Sequence, residues 1–122
     1  MKKVILVVDD DPKIIKLTRD ILSVSGYATI EATDGKQGVA LARDKRPDLI
    51  LMDIQLPVMD GLEAAKILKS DAETKDIPII ALTASAMKGD EEKVYDAGCE
   101  EYITKPFEIS TLLKKVAEHL SK

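Results

Sequence analysis

Val4-Ile5-Leu6-Val7-Val8-Asp9-Asp10-Asp11-Pro12 is the stretch on which the reading of this chain turns. Val4, Ile5, Val7 and Val8 are β-branched, and the aliphatic run is unbroken from Val4 to Val8. Such a run suits a strand buried on both faces, as in a parallel sheet. Three carboxylates come directly after it. Asp11 before Pro12 has the form of a helix N-cap with proline at the first helical position. The stretch therefore predicts a strand, an acidic loop and a helix start within nine residues.

The same alternation continues outward. Ile14, Leu17, Ile21 and Leu22 form one apolar helical face, and Gly26 suits its stop. Further strand-like runs sit at 28–32, 49–52, 77–82 and 101–104. Helical spacing fills the intervals. Asp34-Gly35 opens a segment with Val39, Leu41 and Ala42 that halts near Pro47. Gly61 to about Asp71 carries Leu62, Ala65 and Leu68. Residues 87–97 are mostly polar, with Val94 and Ala97 inward. Ile109, Leu112, Leu113, Val116, Ala117 and Leu120 give the cleanest amphipathic pattern.

Five strand–helix units predict an α/β fold: a parallel five-stranded sheet between two helix layers, a doubly wound (βα)5 three-layer sandwich. The runs at 4–8, 49–52 and 77–82 are continuously apolar and read as central strands. Residues 28–32 alternate and 101–104 are half polar, as edge strands are. The order 2-1-3-4-5, that of flavodoxin-like sheets, satisfies both.

Composition bounds the rest. The 122 residues are enough for one domain, 1–122, with no room for an output domain. Eighteen basic residues against 22 acidic ones give a net charge of −4. That balance speaks against nucleic acid as a partner. No apolar run is long enough for a signal peptide or a membrane span, so the expected location is cytoplasmic. The single cysteine, Cys99, excludes an internal disulfide and is expected to be a buried, inert residue.

The chemistry lies at the carboxyl end of each strand. Asp9 and Asp10 stand after the first, Asp53 after the third, Thr83 after the fourth, and Lys105-Pro106 after the fifth. In a parallel sheet these ends share one edge, where ligands of open α/β folds bind. Two carboxylates about 4 Å apart repel by roughly 4 kcal/mol at an effective dielectric near 20. One lysine cannot offset three of them. A divalent cation with oxygen ligands can, and Mg²⁺ favours few carboxylates plus water and phosphate oxygens. A nucleophilic carboxylate with fixed cationic and hydroxyl donors is equipment for phosphoryl transfer to aspartate.

Four stretches now carry a family likeness: Val7-Val8-Asp9-Asp10, Leu51-Met52-Asp53-Ile54-Gln55-Leu56-Pro57 with Met59-Asp60-Gly61, Leu82-Thr83-Ala84, and Tyr102-Ile103-Thr104-Lys105-Pro106-Phe107. Each is weak alone; in this order and spacing they are specific. The chain resembles, over essentially its whole length, the receiver domain of two-component response regulators. The segment from Ala84 to Glu92 is also similar to single-domain, cell-cycle-type receivers and to receivers of hybrid histidine kinases.

The resemblance implies roles. Asp53 is the phosphoacceptor. Asp10 binds Mg²⁺ directly, Asp9 mostly through water, and Gln55 lends its backbone carbonyl; Mn²⁺ is a substitute metal. Thr83 and Lys105 hold the phosphoryl group. A cis peptide joins Lys105 to Pro106, and the Tyr102 ring turns inward when Thr83 moves. The side chains of Gln55 and Ser85 flank the path of attacking water. The expected function is a signalling switch that catalyses only its own phosphorylation and dephosphorylation. Its expected partners are a sensor histidine kinase or phosphotransfer protein, and a downstream protein that contacts the surface of residues 87–119. A monomer is expected, with dimerisation on phosphorylation as the alternative.

Plainer roles compete. Asp11 reads as a cap alone, and His119 as a surface residue on the polar side of the last helix. Asp90, Glu91 and Glu92 read as a solvated face that can also shape partner choice. An aspartyl phosphatase on the same fold needs a second acid two residues after its nucleophile, where this chain has Gln55. An FMN carrier needs a Ser/Thr/Gly-rich phosphate loop in place of Asp9-Asp10-Asp11. A receiver belonging to a hybrid histidine kinase is the remaining alternative.

Overall fold

A computed structural model of the chain describes residues 2–84 and 88–121, with side chains for all of these except 88–90. Strands β1 (Val4–Val8), β2 (Ala28–Ala32), β3 (Leu49–Asp53), β4 (Ile79–Thr83) and β5 (Glu101–Thr104) alternate with helices α1 (Pro12–Val24), α2 (Gly35–Lys45), α3 (Gly61–Ser70), α4 (Lys88–Asp96) and α5 (Ile109–Leu120). The strands are parallel, in the order β2-β1-β3-β4-β5. The continuously apolar strands are the inner three, which have a strand on both sides as well as helices on both faces.

Helix starts reflect carboxylate chemistry. Asp11, Asp34 and Asp60 cap α1, α2 and α3 by accepting the backbone N–H of Lys13, Gln37 and Glu63. Gly26, just past α1, takes φ 92°, which a residue with a Cβ resists. The stop of α2 is Arg46 at φ 45°, with Pro47 next in the chain. β4 begins at Ile79, two residues later than the apolar run. The Ile77 N–H still belongs to the preceding turn, donating to the Thr74 carbonyl, and Pro78 has no N–H to give.

Alternation along the strands splits the core in two. Leu6, Val8, Ile50, Met52, Ile79 and Ala81 pack with α2, α3 and α4 through Val39, Ala65, Leu68 and Val94. Ile5, Val7, Leu49, Leu51, Ile80 and Leu82 pack with Leu22, Leu112 and Val116 of α1 and α5. Two helical faces keep the centre of the expected stripe and expose part of it. In α1 the buried side chains are Ile15, Thr18 and Leu22, Ile14 and Ile21 are half-buried, and Leu17 is 47% exposed. In α5 only Leu112 and Val116 are buried, while Ile109 and Ala117 face outward. The sheet covers only part of each stripe, with Ile21, Leu113 and Leu120 packed at its margin.

Candidate functional site at the carboxyl edge of the sheet

The sheet ladder runs one residue past its strands and fixes the site backbone. The Asp9 N–H donates to the Ala32 carbonyl at 3.1 Å, Ile54 to Leu82 at 3.0 Å, and Lys105 to Thr83 at 2.6 Å. Asp9, Asp53, Thr83 and Lys105 therefore sit on rigid strand ends. Asp9 is fully buried, and Asp53 and Thr83 are nearly so, whereas Asp10 is exposed.

One ammonium ties the cluster together. Lys105 Nζ donates to Asp9 Oδ2 at 2.7 Å and to Asp53 Oδ2 at 2.9 Å. The other oxygens take backbone donors: Asp9 Oδ1 accepts from the Asp11 N–H at 2.9 Å, and Asp53 Oδ1 from the Gln55 N–H at 3.0 Å. Asp9, Asp10 and Asp53 can bring one carboxylate oxygen each to within 4.8 Å of one another. Three carboxylates against one lysine leave the site two negative charges in excess, a donor set suited to a hard divalent cation.

Burial and charge pull in opposite directions here. Burial raises the Asp53 carboxyl above its ordinary 3.8, and the Asp9 charge adds to it; Lys105 and the Gln55 N–H draw it back. Burial works against the Lys105 charge, yet its two carboxylate partners outweigh it and hold its pKa up.

A tight loop shapes the floor. Val58 is 78% exposed and sits at φ 67°, spanned by a hydrogen bond from the Met59 N–H to the Pro57 carbonyl. This is a γ-turn of positive φ, strained for a β-branched residue. Gly61 then crosses so close that an added Cβ would lie 2.1 Å from the Asp53 carbonyl oxygen. The sequence marks Gly61 as a helix start and as part of the Met59-Asp60-Gly61 likeness, not as a crossing point with the Asp53 backbone. Nor does it mark the Gln55 and Asp11 N–H groups, because a backbone donor carries no residue signature.

The remaining expectations have definite outcomes. Lys105–Pro106 is cis. Tyr102 is half-buried on β5, with its ring edge-on to Tyr95 at 6.1 Å between centroids and 78° between planes. Ser85 lies outside the described residues. Cys99 is buried, and burial pushes its thiol up to about 12, which makes it unreactive. His119 is a correction: it is not a free surface residue. Its side chain is 9% exposed and its Nε2 lies 3.7 Å from Glu101 Oε2, because the last turn of α5 lies over the β5 edge.

Comparison with known proteins agrees with this geometry. Residues 5–117 match the model of the response regulator receiver domain. The polar-differentiation response regulator DivK of Brucella anthropi is 48% identical over 120 residues, 98% of each chain, and that of Brucella ovis is equally similar. A crystal structure of the receiver domain of the sensor histidine kinase PA1611 from Pseudomonas aeruginosa PAO1, with a magnesium ion coordinated in its active site cleft, superposes with a TM-score of 0.94 at 35% identity over all of both chains. The chemotaxis response regulator CheY4 of Vibrio cholerae superposes at 0.92 with 30% identity, over 98% of this chain and 99% of that one.

The chain thus belongs to the response regulator receiver domain family. It is a DivK-like receiver of two-component signalling, and the phosphatase and flavin-carrier readings find no support. Among the described residues no helix is long and apolar enough to cross a membrane.

Proposed function

We propose that the chain is switched by phosphorylation of Asp53, with the phosphoryl group supplied by a histidine kinase or phosphotransfer protein. The observation that carries this reading is the Lys105 ammonium bridging Asp9 and Asp53 at 2.7 and 2.9 Å, with Asp10 beside them. An Asp53 carboxylate oxygen attacks phosphorus and the bond to the donor's histidine nitrogen breaks. Lys105, already bound to Asp53 Oδ2, moves with a phosphoryl oxygen, and the Thr83 hydroxyl at the end of β4 donates to another. The domain acts only on its own phosphoryl group, both in gaining and in losing it.

Asp9, Asp10, Asp53 and the Gln55 carbonyl are the groups that would hold Mg²⁺, or Mn²⁺ in its place; the excess of carboxylates at this edge fits such an ion. When bound, the ion supplies positive charge that stabilises phosphoryl oxygens. Every other function falls to the chain's own groups. The Gln55 and Asp11 N–H groups orient the carboxylates, and the strand ends hold them still.

The output is contact with a downstream protein through α4, β5 and α5. Tyr102 joins that surface to Thr83, since the two strand positions lie on neighbouring strands β5 and β4. The site is tested by phosphorylating the protein with acetyl phosphate, reducing the acyl phosphate with borohydride and sequencing peptides. Homoserine at position 53 is the expected result; homoserine at position 9 or 10 would reassign the acceptor.

A further inference from the structure

The groove between α4 and α5, floored by β5, has a volume of about 560 Å³, and its walls include Tyr95, Tyr102, Phe107, Glu91, Glu101 and Glu108. The lysine in its wall, Lys115, is already paired with Glu101 at 3.3 Å. A second hollow beside it is lined by Glu91, Glu92, Tyr95 and Asp96. Tyr95 is thus the aromatic residue common to both, and it is 43% exposed on a helix whose apolar anchor is the buried Val94.

Some acidic residues elsewhere on the surface have cations at hand and others, such as Asp60, Glu63 and Glu118, enter no ion pair among the described residues; this groove is set apart by the gathering of such carboxylates in the two hollows that share Tyr95. Lys16 pairs with Asp20, Arg19 with Glu31, Arg43 with Asp71, Arg46 with Glu73 and Lys69 with Glu100. Among the described residues Glu91, Glu92, Asp96 and Glu108 enter no ion pair. Burial first, then the Glu101 and Glu91 charges, raise the Tyr95 phenol above 10.0.

An exposed tyrosine ring flanked by unneutralised carboxylates suits a planar guanidinium, which stacks on the ring and donates to carboxylates at its edge. Nucleic acid and anionic lipid have the wrong charge for this surface. We propose that the groove docks a basic, arginine-bearing segment of a partner protein, with a guanidinium seated against Tyr95. This rests on the reading of α4, β5 and α5 as the output surface and names the chemistry of what binds there. It also gives Tyr102 a second role, since it braces the Tyr95 ring edge-on.

The probe is a fluorescein-labelled peptide, Leu-Arg-Lys-Leu-Ala-Arg-Leu-Leu-Arg-Lys, with twins carrying Glu for every Arg and Lys, or Lys for every Arg. Binding is measured by anisotropy on the unmodified full chain. Adduct formation at Asp53 is read separately by mass, so failure of one is not mistaken for failure of the other. The arginine peptide should bind about 10-fold or more tighter than the glutamate twin, and severalfold tighter than the lysine twin. Glu91→Lys with Glu92→Lys should weaken it by about 10-fold, and Tyr95→Ala by severalfold. The control Asp44→Lys with Glu73→Lys makes the same charge change on the α2–α3 side, at two exposed positions. Equal weakening by both double variants would mean that net charge alone attracts the peptide, and would overturn the proposal. So would indifference to Tyr95→Ala, or self-association of the chain that the Glu91 and Glu92 reversals abolish, which would make a second copy the occupant.

Discussion

Lys105 is the residue on which the site balances. Among the described residues its ammonium is the only side-chain cation hydrogen-bonded to the two buried carboxylates, Asp9 and Asp53. Removing one partner of a buried ion cluster leaves uncompensated charge, so Lys105→Ala should lower stability by about 2–4 kcal/mol in urea unfolding without divalent ions. Adding Asp53→Asn to that variant should recover part of the loss, because one of the two orphaned charges goes with it. A pH dependence arises from Asp53 itself. Its carboxyl is raised above 3.8 when folded, so the native state holds this proton more tightly than the unfolded chain does. Its contribution therefore favours folding below about 3.8 and is lost as pH rises through the folded value. Asp53→Asn and the parent should have similar urea midpoints near pH 4, with the variant the more stable by pH 7. At this scale the sequence was legible where a polar residue ends an apolar run, as Asp9, Asp53 and Thr83 do; Lys105 follows a half-polar strand and was marked by its place after that strand and before Pro106. It was not legible at Thr18, fully buried with a hydroxyl that has no hydrogen-bond partner among the described residues, where size rather than polarity decided the packing. His119 was misjudged for the same reason, since its ring is a flat body that a sheet edge can cover.

At the scale of elements, the connection from β3 to α3 carries the most strain. Val58 holds a positive φ, and Gly61 leaves no space for a side chain against the Asp53 carbonyl. Gly61→Ala should cost about 2–4 kcal/mol, because the obstacle is backbone and cannot swing aside. It should also slow phosphorylation, since relieving the clash moves the strand end that carries Asp53; stopped-flow phosphorylation and urea unfolding of the same variant check the two effects together. The starts of α1 and α2 were readable from Asp11 and Asp34, which cap them; the matching cap of α3, Asp60, shows only in the structure. Helix faces were less so. Of Ile14, Leu17, Ile21 and Leu22 only Leu22 is fully buried, and Ile15 and Thr18 join it, which only the position of the sheet decides. The start of β4 moved to Ile79 because Pro78 cannot extend the ladder through its own nitrogen.

At the scale of the molecule, two independent cores on either face of one sheet hold the strand ends in register, and the excess charge at one edge is the cost of that placement. An ion that binds only the folded site should recover it. Mg²⁺ at about 10 times its dissociation constant should add roughly 1.4 kcal/mol of stability, read as a rise in Tm. Asp10→Asn should abolish most of that rise while changing metal-free stability little, since Asp10 is exposed. The order of the sheet could be anticipated because continuous and alternating apolar runs report how many faces a strand buries. The acidic tract at Glu91 and Glu92 could be anticipated too, but not its place beside the exposed Tyr95 ring, which only the packing of α4 on β5 decides.

In the proposed reaction this edge transfers a phosphoryl group to Asp53 with the help of a divalent ion. Intact mass after incubation with acetyl phosphate tests it most directly, with Mg²⁺ or with EDTA, on the parent chain and on Asp53→Asn. One phosphoryl adduct that requires both Mg²⁺ and Asp53 is the predicted result. An adduct that persists in Asp53→Asn, or forms equally in EDTA, would contradict the account.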